Sequence, residues 1–256
     1  MRALAPVVAS APIVKGFVDL HCHWVFGIDD GAKTPGDSLA MLRGLFELGF
    51  SHVVATPHMR PGMFDNQRAD LVAAYERTRK VVTDAGGIPD VSLGSEHFFD
   101  DVVFHRLTQG ADLSLPYSGG KSVLVELPVT AFPLRLAQRF ADLARRGVRP
   151  VLAHPERYEP VWDRPASLDE LIDVGAMMLL DVAALAGKYG KQPRKCAERL
   201  LDDGYYHAAC SDAHRPDDVD AVAEGIEKLT KRVGKEEAEF LLGEGPRGML
   251  EGRFSS

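Results

Sequence analysis

The sequence predicts an α/β fold in which parallel strands and crossover helices alternate around a closed or nearly closed barrel. Three observations carry this expectation. Seven short β-branched or apolar runs alternate with longer segments of helical periodicity, the pattern of repeated βα units. The 256 residues fit one large domain, since single α/β barrels commonly use about 200 to 250. Hydrophobic residues make up 45% and charged residues 26%, an ordinary globular composition that excludes a disordered or disulfide-stapled chain. An open doubly wound sheet reads similarly at this level.

Taken in order, residues 1–12 read as a flexible N-terminal tail and 13–256 as a single barrel domain. The apolar opening is not expected to be a secretory signal, because Pro6 breaks its helix and Pro12 follows the Ala9-Ser10-Ala11 run. Strands are expected at about 13–20, 52–56, 91–95, 122–127, 149–153, 177–182 and 206–210. Thr34 and Asp37 open a first helix through Leu39, Leu42, Leu45, Phe46 and Leu48, which Gly49 stops. Further helices are expected near 68–85, 133–146, 167–174, 193–203 and 217–232, ending at Gly86, Gly147, Gly175, Gly204 and Gly234. The acidic stretch after Lys235 reads as solvated surface. No run of about 20 apolar residues occurs, so no membrane span is expected. Thirty-seven acidic against 30 basic residues give a net charge of −7, the wrong sign for a nucleic-acid partner. Three cysteines without paired spacing read as free thiols in a reducing compartment, hence a cytoplasmic protein.

The chemistry lies in what ends the strands. They run into His21-Cys22-His23, Thr56-Pro57-His58, Ser95-Glu96, Glu126-Leu127-Pro128, His154-Pro155-Glu156-Arg157 and Ser211-Asp212-Ala213-His214. Catalytic groups of a barrel enzyme gather at the C-terminal strand ends, so these six segments should converge on one pocket. Residues two apart on a strand share a side, which pairs His21 with His23 and Asp212 with His214 and turns Cys22 the other way. Asp30, in the loop Ile28-Asp29-Asp30-Gly31, can add a carboxylate. Mixed imidazole and carboxylate donors favour zinc, manganese or iron over calcium or magnesium alone. Nine donors exceed the need of one or two ions and point to a multinuclear centre of the kind that hydrolyses phosphoesters. Arg157 and Arg215 are candidate phosphate ligands. His52, His97, His105 and His207 lack such placement and are left out.

Other mechanisms lose their basis. Six positions beyond Cys22, Cys196 and Cys210 stand Ile28, Asp202 and Pro216 rather than an arginine, so no cysteine phosphatase loop is present. A phosphate-cradling glycine loop with a Lys-Ser/Thr end is also missing.

The stretch Asp19-Leu20-His21-Cys22-His23 through Ile28-Asp29-Asp30-Gly31-Ala32-Lys33-Thr34, followed by Ala55-Thr56-Pro57-His58, resembles the PHP (polymerase and histidinol phosphatase) superfamily. Within it, the Asp-Asp-Gly segment is similar to that of bacterial tyrosine-protein phosphatases encoded with capsule and exopolysaccharide machinery. Gly94-Ser95-Glu96, Val125-Glu126-Leu127-Pro128, Ala153-His154-Pro155-Glu156-Arg157-Tyr158 and Ser211-Asp212-Ala213-His214 follow in the family's order. The resemblance implies the PHP fold, a distorted seven-stranded (β/α)7 TIM-like barrel, with three divalent ions, usually Mn2+, with Fe or Zn as alternatives. It implies a first ion on His21, His23, Glu96 and Asp212, with Glu96 bridging to a second ion completed by Glu126 and His154. A third ion would rest on Asp30, His58 and His214. Arg157, Asp212 and His214 are the expected catalytic residues, with a metal-bridging hydroxide attacking phosphorus in line. The implied substrate is phosphotyrosine on a bacterial tyrosine kinase of polysaccharide export.

The chain departs from that pattern at Leu180-Asp181-Val182-Ala183-Ala184-Leu185, where the branch usually carries a Gln-Ile-Asn-Ala-Gly-Ser-like strand. The loop after His58 offers mainly Arg60 and Arg68 as basic residues. The alternatives are a PHP phosphatase for a small metabolite such as histidinol phosphate, an amidohydrolase and a non-catalytic module. An amidohydrolase would usually want a lysine where Glu126 stands.

Overall fold

The computed structural model describes residues 16–109, 116–117 and 122–253. The expected tail at 1–12 and the start of the first strand at 13 lie outside them. Strands β1 (Phe17–Cys22), β2 (Phe50–Ala55), β3 (His58–Met59), β4 (Asp90–Leu93), β5 (Glu96–Phe98), β6 (Ser122–Glu126), β7 (Arg149–Ala153), β8 (Met177–Asp181) and β9 (Ala208–Cys210) are all parallel to their neighbours. They form two sheets, β1-β2-β4 and β3-β5-β6-β7-β8-β9, rather than one closed seven-stranded barrel. The difference has a local cause. Pro57, which has no N–H to give a ladder, separates β2 from β3, and Gly94-Ser95 separate β4 from β5. Single bonds still cross the break, from Gly94 N to Ala55 O at 2.8 Å and from Glu96 N to Pro57 O at 3.3 Å. On the other flank, β1 meets the segment after β9 through Asp212 N to His21 O and His23 N to Ala213 O, both 2.9 Å.

The helices are α1 (Pro35–Glu47), α2 (Arg68–Ala85), α3 (Asp101–Gln109), α4 (Leu136–Arg145), α5 (Glu159–Asp163), α6 (Asp169–Asp173), α7 (Val182–Ala186), α8 (Lys191–Asp202), α9 (Asp218–Val233), α10 (Lys235–Glu239) and α11 (Gly245–Glu251). Thr34 and Asp37 close a reciprocal capping box at the start of α1, as the Thr-x-x-Asp spacing predicts. The larger apolar cluster joins helices to strands, with Trp24, Met41, Leu42, Phe140 and Leu200 fully buried. A smaller one draws Leu20, Val54, Leu124, Val151, Leu179 and Cys210 from strands of both sheets, so the sheets curve around a shared interior. Met249 of α11 belongs to that interior cluster.

The stretch after Lys235 is therefore not the solvated surface expected from its charge. Leu241, Leu242 and Met249 are buried, Ser122 Oγ donates to Met249 O at 3.0 Å, and Arg247 bonds Gly16 O. Its few aliphatic residues dock, while the acidic ones that dominate its composition face outward. Among the described residues no helix is long and apolar enough to cross a membrane.

Helix α7, between β8 and α8, is set by close packing on α9. A Cβ on Gly225 would stand 2.2 Å from Val182 O. Gly225→Ala should therefore cost about 2–3 kcal/mol and lower Tm by about 5–10 °C in thermal unfolding. An unchanged Tm would mean that the two helices part freely.

Candidate metal centre

Each candidate donor sits at or just beyond a strand end, and backbone irregularities aim several of them. A register shift between Asp19 and Cys22 twists the end of β1. Cys22 packs in the helix–sheet core with its thiol directed at Ala213 O. His154 (φ 36°) and Asp212 (φ 44°) hold left-handed backbone conformations, costly for residues with a Cβ and common where a site over-determines geometry. Gly31 answers a close approach, since a Cβ there would lie 2.2 Å from His23 O.

Four overlapping groups result: His23, Asp30, His58 and His214; His21, Glu96 and His154; His21, His23 and Asp212; and His58, Glu96 and Glu126. All nine sequence-predicted donors are in them. Glu96 is the hub. Its Oε2 is 3.2 Å from His21 Nε2, 3.5 Å from His23 Nε2 and 3.1 Å from His58 Nδ1, and its Oε1 is 3.3 Å from His154 Nε2. Asp212 Oδ1 lies 3.2 Å from His21 Nε2 and 3.6 Å from both His23 Nε2 and His214 Nδ1. Asp30 Oδ1 is 3.3 Å from His58 Nε2 and 3.6 Å from His214 Nε2.

These donors fit divalent ions. Ligand atoms about 2.1 Å from one ion stand roughly 3.0–3.4 Å apart, the spacing found here. Asp212 Oδ1, Glu126 Oε2 and His58 Nδ1 are buried without a hydrogen-bond partner among the described residues, which is costly for polar atoms unless a cation takes them up. The Nε2 atoms of His21 and His23 face each other at 3.1 Å. Beside the partition that the resemblance implies, His23 also stands with Asp30, His58 and His214, and His58 also stands with Glu96 and Glu126.

Electrostatics separate the donors. Burial opposes the charge on Glu96, but His21 and His58 outweigh it and hold the carboxyl well below its usual range. Burial raises Glu126 to about 7, helped by the Glu96 charge. Burial and Arg157 lower His154 to about 4, and burial and His23 do the same to His214. Neutral imidazoles are the form that binds metal, whereas at His21, His23 and His58 burial is outweighed by neighbouring carboxylates, which raise them and favour their protons until a cation displaces them.

Sequence reasoning missed the residues that hold the donors. Asp29 accepts from His23 Nδ1 (2.9 Å), Gly31 N (2.9 Å) and His58 N (3.0 Å). A carboxylate can only accept, so His23 carries a proton on Nδ1, which leaves Nε2 as the nitrogen that would serve a cation in the cluster. The doubled aspartate before Gly31 was the available signal. Asp19 likewise ties β1 to the last donor segment, accepting from His21 N (3.2 Å) and Ser211 N (3.0 Å). Glu156 accepts from Asp181 N (3.0 Å) and Tyr206 Oη (2.9 Å).

Two arginines flank the centre. Arg157 Nη1 donates to Asp212 Oδ2 at 2.8 Å, and Arg60 Nη1 lies 3.7 Å from Glu126 Oε2, its guanidinium 4.1 Å over the Phe98 ring. A mouth cavity of about 320 Å³ is lined by Asp30, Arg157, Tyr189, His214 and Arg215 among others. Arg215 is exposed at its rim. The four omitted histidines join none of the groups. His52 pairs with Ser92 Oγ at 2.7 Å, His97 Nδ1 meets Leu124 O at 3.0 Å, His207 Nδ1 accepts from Met178 N at 3.1 Å, and His105 is exposed on α3.

The tyrosine-protein phosphatase YwqE of Bacillus subtilis is 33% identical over 197 residues, 77% of each chain. The tyrosine-protein phosphatase CpsB of Streptococcus pneumoniae is 23% identical over 91% of this chain and 98% of its own. A crystal structure from work on YwqE and CpsB, described as unique metal-dependent tyrosine phosphatases, superimposes with a TM-score of 0.85 at 30% identity, covering 93% of this chain and 96% of that one. Residues 17–251 match the capsular polysaccharide synthesis family CpsB/CapC, and the chain belongs to that family.

Proposed function

We propose that the protein is a metal-dependent protein-tyrosine phosphatase acting on a phosphorylated bacterial tyrosine kinase of polysaccharide export. One observation carries this reading: nine imidazole and carboxylate donors overlap around Glu96, with Arg157 beside them at the mouth. His21, His23, Asp30, His58, Glu96, Glu126, His154, Asp212 and His214 hold three divalent ions, Mn2+ in preference to Fe or Zn. Bound there, such ions lower the pKa of water and neutralise phosphoryl oxygens. The four carboxylates offset only part of the charge of three dications, which leaves the centre attractive to a phosphate dianion.

Within this reading Arg157 binds a phosphoryl oxygen, Arg215 meets the anion at the rim, and Asp212 orients Arg157 while serving as donor. Asp30 and His214 close the pocket beside them. Tyrosinate leaves with a pKa near 10, so phosphotyrosine makes a smaller demand on a general acid than phosphoserine. The similarity to YwqE and CpsB supports the substrate class and the family supports the capsule setting. Three free, buried cysteines accord with a cytoplasmic protein.

The test incubates metal-stripped protein, with and without Mn2+, on a phosphotyrosine peptide, a phosphoserine peptide and histidinol phosphate, following released phosphate. Mn2+-dependent release from phosphotyrosine alone is expected. Preferential release from histidinol phosphate would retire the kinase partner, and release undiminished by chelation would retire the metal chemistry.

A further inference from the structure

Arg157 is held from two sides. Asp212 takes one edge through the 2.8 Å hydrogen bond, and the guanidinium carbon lies 4.4 Å from the centre of the Tyr189 ring. A planar cation over an aromatic face is attracted by the ring's quadrupole and keeps its N–H edges for in-plane partners. Arg157 and Tyr189 both line the mouth cavity.

The segment carrying Tyr189 is built to stay in place. Helix α7 ends at Gly187 in a left-handed conformation (φ 88°), where Gly187 N bonds Ala184 O at 3.0 Å and Lys188 N bonds Ala183 O at 3.2 Å. Gly190 N then closes a turn onto Gly187 O at 2.9 Å. Asp181 caps α7 by accepting from Ala183 N, and its own N–H is held by Glu156, the residue before Arg157. Lys188 Nζ pairs with Asp218 Oδ1 at 3.0 Å, while Asp218 Oδ2 accepts from His214 N at 2.8 Å. The Lys188-Tyr189 turn is thus fastened both to the turn bearing Arg157 and to the segment bearing His214.

We propose that Tyr189 is the positioning residue for Arg157, its ring fixing the plane in which the guanidinium reaches Asp212 and the phosphoryl group together. This rests on the reading of Arg157 as a phosphate ligand. It assigns the effect on Arg157 to the aromatic face, while the Tyr189 hydroxyl is turned to the buried Asp181 carboxylate, and it gives the departed segment at 180–185 a role in presenting the aromatic turn.

The experiment titrates inorganic phosphate into the Mn2+-loaded full chain by calorimetry, with bound metal and turnover on a phosphotyrosine peptide measured in parallel. Tyr189→Leu should weaken phosphate binding about tenfold, equivalent to ~1.4 kcal/mol, with bound metal unchanged. Tyr189→Phe should restore most of that affinity. In an Arg157→Ala background, Tyr189→Leu should cost nothing further, because the partner it positions is gone. Equal losses in the Phe and Leu variants, an undiminished loss without Arg157, or loss of metal in Tyr189→Leu would each overturn the proposal. Wild-type affinity in Tyr189→Leu would overturn it while leaving the phosphatase reading intact. A loaded wild type that neither binds phosphate nor releases it from phosphotyrosine would end both.

Discussion

Replacing Glu96 by alanine should strip the centre of its divalent ions and reduce phosphatase turnover at least about a thousandfold. Even partners that only orient a metal ligand are worth about 10- to 100-fold, and Glu96 faces four histidines at 3.1–3.5 Å. It also belongs to two of the four donor groups, so its loss opens both. Glu96→Gln keeps the volume but removes the charge that His21 and His58 maintain, and should leave an intermediate metal content. Elemental analysis of purified protein and turnover on a phosphotyrosine peptide read both effects. Full metal occupancy with retained turnover in Glu96→Ala would remove Glu96 from the centre.

Arg157→Ala separates chemistry from metal binding. Turnover should fall about 10²- to 10³-fold, the usual cost of removing a group that stabilises developing charge, while bound metal stays at the wild-type level. The opposite pattern has a physical basis too, because Arg157 pairs with Asp212 Oδ2 in a site where Asp212 is otherwise buried. Removing the arginine leaves that oxygen without its cation, and a purely structural arginine would then show itself as lost metal. Elemental analysis beside steady-state kinetics distinguishes the two, and unaltered turnover would withdraw Arg157 from the reaction.

Much of this site is legible in the chain because its cause is local. A strand's period of two pairs His21 with His23 and Asp212 with His214, and a parallel αβ pattern sends strand ends to one face. The stop before Pro57 is legible for the same reason, a missing N–H, whereas the short strand that resumes at His58 is not. What stayed hidden depends on distant approach. Asp29 looks like a duplicate of Asp30 until the fold brings His58 N within 3.0 Å of it. The stretch after Lys235 reads as acidic surface until three aliphatic side chains dock against the strands.

The sequence by itself determined the alternation of strands and helices, the placing of candidate donors at the strand ends and the absence of a cysteine-phosphatase loop, since each follows from residue type and short-range spacing. Only the tertiary structure decided that the strands divide into two sheets, that Asp29 and Asp19 hold the donors, that His154 and Asp212 take left-handed backbone conformations, and that Tyr189 lies under Arg157. These are contacts between segments far apart in the chain, and their energies exist only once packing has fixed which segments meet.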